Sequence, residues 1–333
     1  MGTEANQRNH GRIEGLDAQR GIAAVLVLMF HVEFAFGLQP HFQRAYLSVD
    51  FFFLLSGAVM ARQYEGRFPH APAFVKMRLR RLWPTMALGG LLGALVFASQ
   101  MPPLGAVVAC LMGLLLVPWL GSDKGLFPLN PPTWSILFEL LANALHAAMF
   151  HRIGTRWLVG AAGASAALLL VLAPSLDVGS VRAHAEMGIP RVVMSYALGI
   201  ALWRLRHCLS SLPGWLGLTI LPLAIVVLPL LPVSEIVGDL LFALVIGPLA
   251  MIAGLAQLGF ARLFLVRLGW LSFPLYAVHY PVLMFVGQWS GPLVAAVAAV
   301  GVAWIAGLVV ERVGQIGPVR QRTARDKLEL ASP

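Results

Sequence analysis

Arg20 and His31 stand eleven residues apart in an otherwise apolar stretch, LDAQRGIAAVLVLMFHVEFAFGL, that also holds Asp17 and Glu33. At about 100° per residue the two return to one helix face, roughly 16 Å apart along the axis. Ionisable groups in hydrocarbon cost several kcal/mol unless they are paired or line a wet cavity, so their presence there marks function by default. A neutral imidazole in such a place suits a general base that takes a proton from an incoming hydroxyl. Asp50, in SVDFFFLLSG, is the carboxylate expected to fix the His31 tautomer and to stabilise the imidazolium as it forms. Its structural alternative is a pairing with an arginine that locks helices together.

Further candidates recur at helical spacing. In PPTWSILFELLANALHAAM, Glu139, Asn143 and His146 share one face. Glu139 is the acid expected to act, while Asn143 and His146 read equally well as a polar seam between helices. Trp134 reads as an interfacial anchor. In LSFPLYAVHYPV, Tyr276 and His279 are three apart on one face, and either can donate to an oxyanion. Pro281 is expected to bend that helix and free a carbonyl. In KMRLRRLWP, Arg78 and Arg81 face together beside Arg20 as a phosphate clamp, although topology alone explains much of that charge. Ser56 and Gly57 read as close-packing residues rather than as a nucleophile.

The elements that must position these groups are membrane helices. Of 333 residues 59% are hydrophobic and only 12% charged, with a mean hydropathy of +0.79. Repeated apolar runs of about 20 residues mean an all-α polytopic membrane protein. The net charge of +9 sits in short clusters between these runs, which is the positive-inside pattern and argues against nucleic acid as a partner. Cys110 and Cys208 fall in or beside apolar segments, so no disulfide or metal framework is expected. The first apolar stretch is too long and too charged for a cleavable signal peptide.

Eleven apolar runs can be counted. Three lie between the basic clusters at Arg81 and Arg152, where an even number of crossings is required, so one should not cross. The proline-broken piece 101–121, or the loop after it, is the candidate re-entrant or interfacial segment. The expectation is therefore ten full crossings in one transmembrane domain (16–312), between an N-terminal arm (1–15) and a tail (313–333) that both face the cytoplasm. Rise per residue then places His31 about 22 Å, Asp50 about 20 Å, and Glu139 and His279 about 18 Å from the cytoplasmic ends of their spans, while Arg20 stays within about 6 Å. Four groups from four spans are expected to converge in the outer half of the bilayer.

RGIAAVLVLMFH, SVDFFFLLSG, RLRRLWP, PPTWSILFE and PLYAVHYP, in this order, resemble the acyltransferase 3 family of bacterial membrane O-acyltransferases over nearly the whole chain. The resemblance implies transfer of an acyl group, often acetyl from acetyl-CoA, to a hydroxyl of a glycan, a lipid-linked sugar or a small metabolite at the bacterial inner membrane. The family's essential Arg and His map onto Arg20 and His31, its loop arginines onto Arg78 and Arg81, and its Trp-Ser…Glu element onto Trp134, Ser135 and Glu139. The Phe-Glu-Leu-Leu run stands where many members have two acids and an aromatic, so only Glu139 carries over from it. Acyl-CoA is then a co-substrate, no cofactor is held tightly, and the partners are the carbohydrate or lipid-linked acceptor and membrane lipids. The rival from another class is a transporter or flippase, in which the same buried charges relay protons or hold a polar substrate.

Overall fold

Helix after helix forms because the apolar runs leave the backbone no partner in hydrocarbon other than itself. The computed structural model describes residues 13–66, 68–121, 125–256 and 262–316, and among these the only regular elements are helices. They are α1 (Glu14–Phe36), α2 (Ser48–Tyr64), α3 (Ala71–Phe97), the short α4 (Pro103–Leu114), α5 (Thr133–Ala148), α6 (Thr155–Leu172), α7 (Gly188–Leu205), α8 (Gly214–Val227), α9 (Glu235–Ala253, with a π turn at Phe242–Ile246), α10 (Arg262–Val286) and α11 (Pro292–Ile316). Seven of them, counting short 3-10 extensions, are long and apolar enough to cross a membrane: 14–36, 43–64, 71–100, 155–172, 235–253, 263–286 and 292–312.

The 12-residue α4 rises only about 18 Å, short of a hydrocarbon core of about 30 Å. It is the segment expected not to cross. Its C-terminal carbonyl, Leu114 O, accepts from Trp83 Nε1 on α3 at 2.8 Å. The N-terminal arm to residue 12 and the tail from 317 lie outside the described residues.

One end of the bundle is basic. There Glu65, just past α2, accepts from Arg204 on α7 at 2.6–3.0 Å, and Arg204 also reaches the Phe150 and Ile153 carbonyls. The starts of α1, α3, α6 and α10 lie at this end. At the opposite end α1 stops on Gly37, which is left-handed at φ 59, and Glu33 accepts the His41 and Phe42 amides at 3.0 and 2.8 Å.

Small residues set the helix contacts, as expected where lipid supplies no hydrophobic drive for helix association. A Cβ on Gly57 of α2 would collide with the Tyr196 carbonyl of α7, and one on Gly199 with the Leu54 carbonyl. Likewise Gly21 of α1 fits against Leu268 of α10, and Gly269 against Asp17. The two helices run parallel, so a pairing offset of 247 residues at Gly21–Leu268 carries to 248 at His31–His279. Helix α10 starts at residue 262, six positions before its apolar run, and carries Pro274 and Pro281. Pro281 frees the Ala277 carbonyl, and Asn130 Nδ2, from the loop before α5, donates to it at 2.8 Å. The carbonyl expected to be freed is thus satisfied by an asparagine.

Candidate active site

A cavity of about 290 Å³ opens in the basic half between α1, α2, α3, α5, α10 and α11. Arg20, Arg78 and Arg81 all line it, together with Glu139, Ser135 and Tyr276. Arg78 Nη2 donates to Glu139 Oε1 at 3.0 Å, and Ser56 Oγ donates to the same oxygen at 2.9 Å. Arg20 is one-third exposed and lies 3.8 Å from Asp17, so its charge is only loosely engaged. Three guanidiniums line the walls together with three carboxylates, Asp17 beside Arg20, Glu139 paired with Arg78, and Glu311 of α11, and the arginine forks are suited to phosphate oxygens. At the deep end the Ser135 and Tyr276 hydroxyls lie 2.6 Å apart, with the Pro132 carbonyl 3.2 Å from Ser135. One hydroxyl proton joins the pair, and the other is shared between that carbonyl and whatever oxygen enters the cavity.

Beyond Tyr276 stand the two histidines. His279 is buried, and its Nδ1 lies 3.0 Å from both the Leu275 and Tyr276 carbonyls. Carbonyls only accept, so His279 carries its proton on Nδ1 and presents a bare Nε2. That Nε2 lies 3.1 Å from His31 Nδ1, which is also 2.9 Å from the Val27 carbonyl. Both neighbours of His31 Nδ1 are acceptors, so the proton sits there and the lone pair is left on Nε2. His31 is partly accessible. The edge-on rings of Phe52 and Tyr276, 5.6 Å apart, stand between the cavity and the pair.

Asp50 is elsewhere. Its carboxylate takes two contacts from Arg191 Nε at 3.1 and 3.2 Å and one from Nη2 at 2.7 Å, with Ser195 Oγ at 3.4 Å. The guanidinium is completed by the Val178 and Tyr46 carbonyls and lies over the Trp134 ring. The expectation that Asp50 orients His31 is therefore corrected: His279 holds that position, and Asp50 locks α2 to α7. Trp134 is corrected with it, since it is buried under Arg191 rather than placed at an interface. The four groups do not converge either. Helix α5 ends at Ala148, which puts Glu139 about 13 Å above its basic end, against about 25 Å for His31 and His279 on their helices.

Asn143 and His146 form a seam. Tyr196 donates to Asn143 Oδ1 at 2.9 Å and lies 3.1 Å from His146 Nδ1, while His146 Nε2 is 3.4 Å from Glu65. Sequence reasoning missed Arg191, and it missed Asp239, which is fully buried between Arg44, Tyr46 and the Leu176 amide. The signal was present. An arginine in the run GIPRVVMSYALG and an aspartate in EIVGDLLF each need a buried partner of opposite charge.

The apolar helices mark a membrane protein, with a polar cavity and a nearby histidine pair inside the helix bundle. The family described as "Acyltransferase domain" matches residues 13–310, and the chain belongs to this acyltransferase 3 family. It is thus a membrane acyltransferase. "Protein 2 in picA locus" of Rhizobium radiobacter is 32% identical over 180 residues, which cover 47% of this chain and 93% of that protein. No solved structure matches.

Proposed function

We propose that the protein moves an acyl group, acetyl in the first instance, from a cytoplasmic acyl-CoA to a hydroxyl of a glycan or lipid-linked acceptor on the far side of the bacterial inner membrane. The reading counts ten crossings, adding α5, α7 and α8 to the seven longer helices, with both termini in the cytoplasm beside the basic end. The observation that carries it is the tautomer chain ending on the His31 Nε2 lone pair. The CoA phosphates pair with Arg20, Arg78 and Arg81, and the thioester lies near Tyr276. His31 Nε2 takes the acceptor proton, the oxygen attacks the thioester carbonyl, the C–S bond breaks, and the proton passes to the thiolate sulfur. His31 returns neutral, so the reaction needs no net proton. The Tyr276–Ser135 pair supplies its one remaining hydroxyl proton to the oxyanion, a role that His279 cannot share while both of its nitrogens are engaged.

The test is acceptor-dependent release of free CoA by purified protein given acetyl-CoA and a candidate glycan. Release should vanish in His31→Ala, and Arg78→Ala should raise the KM for acetyl-CoA. Unchanged release from His31→Ala would overturn the general-base role. Substrate movement without acyl consumption would return the transporter reading to the front.

A further inference from the structure

A second, larger concavity lies on the outer surface of the bundle, separated from the cavity by α3 and α5. It measures about 1000 Å³. Its floor is α5, where Ala142, Ala144 and Ala148 leave a trough, and its walls are Val75 and Leu79 of α3 and Val192 and Val193 of α7. Apart from Lys76 and Arg80 on the α3 wall, the polar side chain in its lining is Tyr196, whose hydroxyl is already engaged by Asn143 and His146. A polar ligand would find nothing to bind along its length, whereas an alkyl chain would find apolar wall throughout.

The α3 wall of the trough carries charge. Lys76 and Arg80 line it four residues apart on one face of α3, both exposed, and neither is ion-paired among the described residues. Arg78, between them in sequence, points the other way into the cavity and pairs with Glu139. Helix α3 thus divides its cations between two sites. The trough is lined from Phe138 to Ala148 on α5, about 15 Å, and from Ile189 to Tyr196 on α7, about 10 Å, so its length matches the roughly 15 Å hydrocarbon depth of one leaflet.

We propose that this trough is a binding site for one anionic phospholipid, with an acyl chain along α5 and the phosphate on Lys76 and Arg80. Two cations without a carboxylate favour a net-negative headgroup over a zwitterionic one, by roughly thirtyfold for two such contacts. The site also adjoins the reaction machinery. Tyr196 in its wall bonds Asn143, which lies 3.5 Å from Ser56, the donor to Glu139. An occupied trough buttresses the face of α5 that lies behind Glu139.

Native mass spectrometry of the full chain, stripped of lipid in detergent and titrated with phosphatidylglycerol or phosphatidylcholine, tests this. One retained phosphatidylglycerol is expected, preferred about thirtyfold over phosphatidylcholine. Lys76→Gln with Arg80→Gln should abolish the preference while leaving weak binding of both lipids. Ala144→Phe, which fills the trough from a lipid-facing position, should abolish retention of both. Equal retention of the two lipids by the wild type would overturn the proposal. So would a phosphatidylglycerol preference that survives the double charge change, or retention that survives Ala144→Phe.

Discussion

His279 Nε2 lies 3.1 Å from His31 Nδ1, across the parallel contact of α1 and α10, and fixes which nitrogen of His31 is basic. A neutral imidazole takes the position that a carboxylate holds in many general-base pairs. It orients the ring equally well but stabilises the developing imidazolium less, because a charged acceptor makes a hydrogen bond roughly twice as strong.

This pairing separates the two histidines by magnitude. His31→Ala should lower kcat by about 10²–10⁴-fold, the usual range for loss of a general base. His279→Ala removes one of the two acceptors at His31 Nδ1, leaving the Val27 carbonyl to hold the tautomer, and should cost about tenfold in kcat with little change in KM. Steady-state kinetics on both variants checks the order; equal losses would mean that His279 itself touches the reacting atoms.

The Asp50–Arg191 pair should act on stability. Asp50→Ala leaves a fully buried guanidinium uncompensated, a loss of about 3–5 kcal/mol. Changing both partners to apolar residues, Asp50→Leu with Arg191→Met, should recover most of it. Thermal unfolding in detergent distinguishes this from an orienting role, in which Asp50→Ala would depress kcat with the melting temperature unchanged.

Asn130 and Pro281 form a compensating pair. Asn130→Ala orphans the Ala277 carbonyl and should cost about 1–3 kcal/mol. In a Pro281→Ala background the helix regains its own N–H donor to that carbonyl, so the same asparagine change should cost clearly less. A double-mutant cycle on unfolding free energy reads the difference, and additive losses would rule out the compensation.

Glu65 sets an acid limit at the basic end. Burial pushes its carboxyl up, but hydrogen bonds from His146 and Arg204 outweigh this and hold it below the ordinary value of 4.5. A carboxyl depressed in the folded state contributes stability above its unfolded value and loses it as pH falls through the lower folded one. The melting-temperature gap between wild type and Glu65→Gln should therefore be steady near neutrality and close on acidification below about pH 4.5. A gap that persists at about pH 3 would show that Glu65 acts through packing.

Much of the architecture was legible because hydropathy is local. The apolar runs mark the helices, the prolines around 101–121 bound a helix of only 12 residues, and the glycine of LLSG marks a close contact. The grouping of the arginines was legible for the same reason, since Arg78 and Arg81 share a face by helical period alone and line the cavity with Arg20. Partners of buried charges were not legible in this way. Asp50 sits in the first turn of its helix and had several cations within reach of a depth estimate, and Arg191 won because Gly57 and Gly199 bring α2 and α7 into backbone contact.

By itself, then, the sequence determined that Arg20 and His31 share one face of a membrane helix, because 3.6 residues per turn is a property of the backbone. It also determined that this face must meet polar partners, because hydrocarbon offers none. Only the tertiary structure decided that the partner of His31 is His279 and that Glu139 belongs to the arginine cavity about 12 Å nearer the basic end. Which residues face one another across two helices depends on how far the helices slide before their glycines interlock, and the pairing of Gly21 with Leu268 sets that slide between segments nearly 250 residues apart.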